Sequence, residues 1–263
     1  VMAKQFSYRQ PLLVRPLTSP IYRKPVQLFE VIAQVLPCGL RSVHIHLHSQ
    51  PLEYQNHNFH THNMVELSED PMQNLYGREA LQLPGWVCMR SDTNYRSPKD
   101  ILNALNGILP LEHPVEAGSP LAGSDIEILT YTDARDLITK TISGVTHNIG
   151  LGFKRSQIAI VTYRGREHSK LTAYDKLGPY TLCAPTGQYD LLGNPLFSEG
   201  DVVIDSVHRF KGRAAPCVVL TEVDFDVLDE NAIRRIFVGM TRATMKLTLV
   251  ISEIAAKALL TDN

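Results

Sequence analysis

From Ile126 onward the chain alternates two rhythms. Short runs rich in Val, Ile and Leu predict strands: IEILTY at 126–131, QIAIVTY at 157–163, DVVIDSVH at 201–208, APCVVLTEV at 215–223 and KLTLVIS at 246–252. Such side chains suit a pleated surface. Between them, apolar positions recur every three or four residues, which predicts helices over Asp133–Ile149, from Ser169, from Glu230 and over Glu253–Leu260. Strand runs that are apolar throughout are covered on both faces. The expected fold class is therefore α/β, a mainly parallel sheet between helix layers.

Upstream the pattern is looser. Residues 1–24 carry Pro, Arg and Tyr without a clear period, and Pro25–Pro37 reads as a helix. SVHIHLHS at 42–49 alternates like a strand, a polar loop follows to Asn63, and Met64–Leu67 reads as a short strand. Ser97–Leu109 has helical spacing, and Glu112–Asp125 has the Pro, Gly and Ser content of a loop. Residues 1–65 are the smaller N-terminal segment of the expected fold, against a larger domain over 66–263.

Composition narrows the picture modestly. The 263 residues carry a formal net charge of -1 and a pI near 6.9, so nucleic-acid contact has to come from local Lys and Arg clusters. Cys38, Cys88, Cys183 and Cys217 are scattered with no CxxC pair, which argues against a disulfide framework or a zinc ribbon. No apolar run approaches the roughly 18 residues that cross a bilayer, and the first residues lack signal-peptide order. The expectation is a cytoplasmic chain without membrane partners.

Four short segments carry the chemistry. They are DPMQNLY at 70–76, NYRSP at 94–98, SVHRFKG at 206–212 and RRIFVGMTRA at 234–243. Arg96 and Arg242 stand in apparently helical stretches among apolar neighbours. An arginine so placed is costly to bury unless it meets an anion, either a structural carboxylate or a polyphosphate. Together and in this order the segments resemble motifs III to VI of the C-terminal, second RecA-like half of UvrD/Rep-type superfamily 1 DNA helicases. IAIVTYRGREHSKL at 158–171 is similar to the family segment ahead of motif V.

That resemblance implies roles for particular residues. Gln73, Arg96 and Arg242 would act on the outer phosphate of ATP, with Arg242 as the arginine finger and Thr241 beside it. Tyr95 would stack on the adenine, and Gly212 would lie against the nucleotide. Tyr76, Ser206, His208 and Lys211 would contact single-stranded or partly duplex DNA, with RNA an open alternative. Three positions depart from the family pattern. Arg213-Ala214 replace the Leu-Glu whose carboxylate holds the ribose, Glu69-Asp70 replace Gly-Asp, and Phe237 replaces a tyrosine. No GxxxxGK[ST] occurs, and no Asp-Glu pair ends a strand before motif III. The expected partner is therefore a first RecA-like domain that brings the P-loop and magnesium. Without it this fragment is expected to be inactive as an ATP hydrolase. The rival expectation is a degenerate helicase-fold scaffold that binds nucleic acid or protein without ATP turnover.

Six of the ten histidines, His44, His46, His48, His57, His60 and His62, cluster upstream. With no carboxylate or cysteine at ligand spacing beside them, a solvated strand face and loop is the expected reading, with no metal site.

Overall fold

The computed structural model describes residues 10–16, 43–46, 64–76, 87–89, 91–192 and 195–261. They divide into two compact units, Tyr8–Thr93 and Val1–Ser7 with Asn94–Asn263.

The smaller unit is an antiparallel sheet in the order β2-β3-β1-β4. Its strands are β1 (Gln10–Pro16), β2 (Val43–His46), β3 (Met64–Glu69) and β4 (Val87–Met89). The strands expected at 42–49 and 64–67 are present. β1 was not legible, because prolines bracket its apolar run. The register steps from Gln10 opposite Glu69 to Leu12 opposite Ser68, so Pro11 falls at a bulge, where a missing N–H is tolerated. The helix expected at Pro25–Pro37 lies outside the described residues.

In the larger unit, β5 (Thr93–Asn94) pairs with β6 (Glu116–Ala117), and helix α1 (Lys99–Ile108) lies between them. Then come β7 (Glu127–Tyr131), α2 (Ala134–Gly150) and β8 (Ile158–Thr162). Four short strands follow: β9 (Lys176–Leu177), β10 (Tyr180–Cys183), β11 (Pro185–Tyr189) and β12 (Pro195–Phe197). The chain finishes with β13 (Val202–Ser206), α3 (Val207–Phe210), β14 (Ala215–Val223), α4 (Glu230–Met240), β15 (Ala243–Ser252) and α5 (Glu253–Thr261). The main sheet runs β7-β15-β14-β8-β13-β10-β9, parallel throughout except for the edge strand β9.

The helix expected from Ser169 is absent. Ser169 Oγ accepts from Leu171 N and Thr172 N, as at a helix start. Gly178 at φ 57 followed by Pro179 then forces a turn, and Tyr180–Cys183 is taken into the sheet instead.

The sheet is packed on both faces, and two consecutive residues of β14 show how. Val219 and Leu220 point to opposite sides, as pleating requires. On one side Gly144 of α2 brings that helix against Val219 and Thr248. On the other, Gly239 of α4 comes so close to Leu220 that an added Cβ would stand 2.6 Å from its Cδ1. Around the first contact Leu137, Val145, Ile158, Ile160, Leu182, Ile204 and Val250 form a continuous core. Burying each such side chain is worth about 1.5–3 kcal/mol. Because the strands are parallel, Arg242 and Gly212, which precede β15 and β14, lie toward the amino ends of the strands. Ser206, which ends β13, lies at the carboxyl end. No helix among the described residues is long and apolar enough to cross a membrane.

Candidate functional site

The first group forms at the amino ends of β14 and β15. Asn94 is buried, and its Oδ1 accepts from Arg96 N at 2.8 Å and Ser97 N at 3.0 Å. This side-chain turn leaves the Tyr95 ring 54% exposed and Arg96 partly buried. Arg96 is therefore in a turn ahead of α1, not inside a helix, because the Asn94 side chain draws the backbone N–H groups away from helical pairing. Ser97 Oγ donates to Thr241 O at 3.4 Å, which sets the turn of Arg96 against the turn of Arg242.

Arg242 also stands outside a helix. α4 stops at Met240, and Thr241 Oγ1 turns back onto Phe237 O at 2.8 Å. Arg242 itself is 1% exposed. Its Nε donates to Val238 O at 3.0 Å, one Nη to Thr241 Oγ1 at 3.1 Å and the other to Arg213 O at 3.5 Å. A guanidinium among the last carbonyls of a helix complements the negative end of the helix dipole. Gly212 takes φ 85, a conformation suited to glycine. Ala215 N donates to Arg242 O at 3.1 Å, which fastens the segment after Gly212 beside the arginine. The structure thus gathers Tyr95, Arg96, Gly212 and Arg242 in one region.

The second group lies at the carboxyl end of β13. Ser206 is buried and level with Thr162, and its Oγ accepts from Arg209 N at 3.4 Å to cap α3. His208 sits on α3, not on a strand end as DVVIDSVH suggested, because that cap starts the helix at Val207. Burial, with the Arg235 guanidinium nearby, holds its imidazole below its ordinary pKa, which favours the neutral ring. Lys211 is partly buried and opens the segment that runs from α3 to β14. Ser206 and His208 lie together at that end, on and before α3, and Lys211 leads toward Gly212.

Gln73 and Tyr76 belong to the smaller unit. Gln73 Nε2 donates to Asp70 Oδ2 at 2.6 Å, and Asp70 Oδ1 accepts from Met72 N to hold the turn over Pro71–Gln73. The Tyr76 ring is exposed. No glycine is needed at this turn, since Glu69 ends β3 and Asp70 is extended at φ -124. Of the histidines, His44 and His46 lie two apart on β2, and His48, His57, His60 and His62 lie outside the described residues. Among the described residues no three His, Cys, Asp or Glu side chains group as metal ligands.

Two features escaped the sequence reading. Asp205, one residue before the motif segment, is a buried carboxylate whose pKa burial raises, against the pull of Ser206 N, Arg209, Arg213 and Arg166. Glu222, near the end of β14, is buried at φ 58, and its carboxyl is likewise pushed up by burial. Its Oε1 accepts from Lys170 N at 2.7 Å, and Oε2 has no hydrogen-bond partner. The signal for Asp205 was available: a charged residue inside the apolar run VVID. None exists for the Glu222 backbone.

Comparison with known proteins supports the resemblance read from the motifs. Residues 201–250 match the family described as UvrD-like helicase C-terminal domain. No curated protein matches the chain. Among solved structures, the C-terminal domain of a possible DNA helicase from Lactobacillus plantarum WCFS1 is similar, with 16% identity and a TM-score of 0.44. The likeness covers 62% of this chain and 93% of that one.

Proposed function

We propose that the chain supplies the second RecA-like half of an ATP-dependent superfamily 1 DNA helicase or translocase. The observation that carries this reading is the Ser97 Oγ–Thr241 O contact, which sets two arginine-bearing turns, far apart in sequence, side by side at the amino ends of β14 and β15. The family match over residues 201–250 spans the segments of Ser206, Gly212 and Arg242.

The donor set fits a nucleotide in chemical type: an exposed phenol ring for a base, two guanidiniums for phosphate oxygens, and a glycine that admits close backbone approach. ATP, when bound, supplies the phosphoryl group passed to water. Tyr95 stacks on the base, and Arg96 and Arg242 neutralise charge on the phosphates. For Arg242 this means turning from the α4 carbonyls toward the anion. Hydrogen bonds from a guanidinium to a charged acceptor are stronger than those to neutral carbonyls. Ser206, His208 and Lys211 bind the backbone of the single strand. Gln73 and Tyr76 enter the proposal only in the roles the resemblance implies. The P-loop and the magnesium ligands come from a first RecA-like domain.

A second reading, a helicase-fold module that binds nucleic acid or protein without ATP turnover, is favoured by one feature. Arg213-Ala214 offer no carboxylate for a ribose.

The test is turnover in the motor assembled with its P-loop half. Arg242→Ala should lower kcat by about 10³-fold with single-strand affinity retained, on the scale of other arginine fingers. Arg242→Lys, which keeps a cation for the α4 carbonyls, should lose turnover nearly as fully with an unchanged melting temperature. Normal turnover in both variants rules the finger out and favours the second reading.

A further inference from the structure

Position 213 is where the chain departs from the helicase pattern by placing an arginine in a leucine slot, and the structure shows what that side chain does. The Arg213 guanidinium lies over the Phe210 ring at 5.0 Å and over the Phe197 ring at 5.1 Å. Its Nη1 is 3.5 Å from Asp205 Oδ2. Arg209 Nε stands 3.9 Å from Asp205 Oδ1, and Arg166 is close enough to lower the pKa of the same carboxyl. Arg166 Nη1 also lies 3.6 Å from the Cβ position of Gly187, so the β11–β12 hairpin borders the group. Two guanidiniums from the α3 segment thus contact one carboxylate, and a third, from the segment after β8, lies near it.

The balance of charge and reach decides what this cluster does. Asp205 side-chain exposure is 5%, but Arg209 and Arg213 keep 33% and 41% of theirs, and Arg166 is exposed. Asp205 also spends Oδ1 on Ser206 N at 2.9 Å. At 3.5 and 3.9 Å its arginines are held loosely, beyond a good hydrogen bond. One buried carboxylate cannot neutralise three arginines, so two positive charges remain over at the surface. Stacking on Phe197 and Phe210 occupies the guanidinium faces and holds Arg213 in place, which leaves the in-plane N–H edge for an anion. The cluster adjoins Ser206 and His208 through Asp205 and Arg209.

We infer that Arg166, Arg209 and Arg213 form a phosphate-binding site for the single-stranded nucleic-acid backbone, with Arg213 positioned by the Phe197–Phe210 pair and Asp205 as the internal counter-charge with which the phosphate competes. This rests on the nucleic-acid reading above and names residues to which the resemblance assigns no role. The site holds the strand through charge, without reading sequence.

The experiment measures binding of a fluorescent oligothymidylate to the 263-residue chain across a salt series at mildly alkaline pH, with melting temperatures for every protein. Arg213→Leu restores an aliphatic side chain between the rings, and Arg166→Gln changes an exposed residue that the fold does not need. Each should weaken binding about tenfold at low salt and reduce the slope of log K against log salt by about 0.7. Asp205→Asn removes the competing carboxylate and should tighten binding, an opposite sign that general loss of folding cannot produce. Wild-type binding with all three slopes unchanged overturns the site while leaving the helicase reading standing. Loss of ATP affinity in Arg213→Leu without change in strand affinity overturns it too, assigning the arginines to nucleotide. A wild-type chain that binds no strand overturns both proposals.

Discussion

A glutamate held at φ 58, with one carboxyl oxygen lacking a partner, is a local cost of about 1–3 kcal/mol that the surrounding fold must sustain. The cause is visible in the ladder. The pairing of β14 with β15 slips between Leu220 and Val223, and this bulge turns Glu222 under the loop that ends at Lys170. Burial raises its carboxyl pKa above the ordinary value, so the folded chain holds that proton more tightly than the unfolded chain does. The sign follows. Stability from this group is whole below the unfolded value of about 4.3 and is lost as pH rises through the elevated folded value. Glu222→Gln cannot ionise, so its stability relative to wild type should improve as pH rises from ~4 and level off above the elevated folded value, read by urea unfolding. The amide itself adds only an offset that pH does not change. A difference flat in pH would show that Glu222 does not titrate as placed. Residues of this kind mark where sequence reading stops. Tyr95, Arg96, Ser206 and Arg242 were legible because each sits in a short local pattern. The departure at Arg213 was legible too, but its destination was not, since Phe197, Phe210 and Asp205 meet it only after folding.

Among the elements, legibility followed burial. β7, β8, β13, β14 and β15 carry apolar runs, and each was found at its expected place. β9 through β12 were missed because they are short, polar and broken by Gly178, Pro179, Gly187 and the proline that opens β12, so spacing alone suggested a helix. Two glycines show how differently the layers resist change. At Gly200, between the hairpin and β13, an added Cβ would stand 2.3 Å from Leu182 C and 2.4 Å from Cys183 N. Both atoms are backbone of β10, so strands β10 and β13 would have to separate. Gly200→Ala should cost about 3 kcal/mol, the upper end for overpacking. At Gly239 the clash is with the methyl ends of Leu220, which can rotate, and the helix gains up to about 1 kcal/mol from losing a glycine. Gly239→Ala should therefore cost only about 1 kcal/mol. Urea midpoints of the two variants check the order, and a milder Gly200→Ala would mean the β10–β13 edge yields easily.

For the molecule as a whole, the parallel sheet separates two chemistries. Tyr95, Arg96, Gly212 and Arg242 stand at the amino ends of β14 and β15, while Ser206 and His208 stand at the carboxyl end of β13. Between them lies a core whose central residues, Ile160, Val219 and Leu220 among them, are fully buried, so it moves as one body. In the proposed motor such a body would link a nucleotide end to a strand end, and arginines acting on phosphates would be only half of a hydrolytic site. No GxxxxGK[ST] sequence occurs in these 263 residues, and without such a cradle the proposed guanidiniums would have no fixed anion to stabilise. The 263-residue chain by itself should therefore release phosphate from ATP at the buffer rate, and Arg242→Ala should leave that rate unchanged. Adding the P-loop half should raise turnover and make it dependent on Arg242 in the same assay. Phosphate release by the chain alone, abolished in Arg242→Ala, would mean that this fold completes a hydrolytic site from residues no P-loop pattern describes.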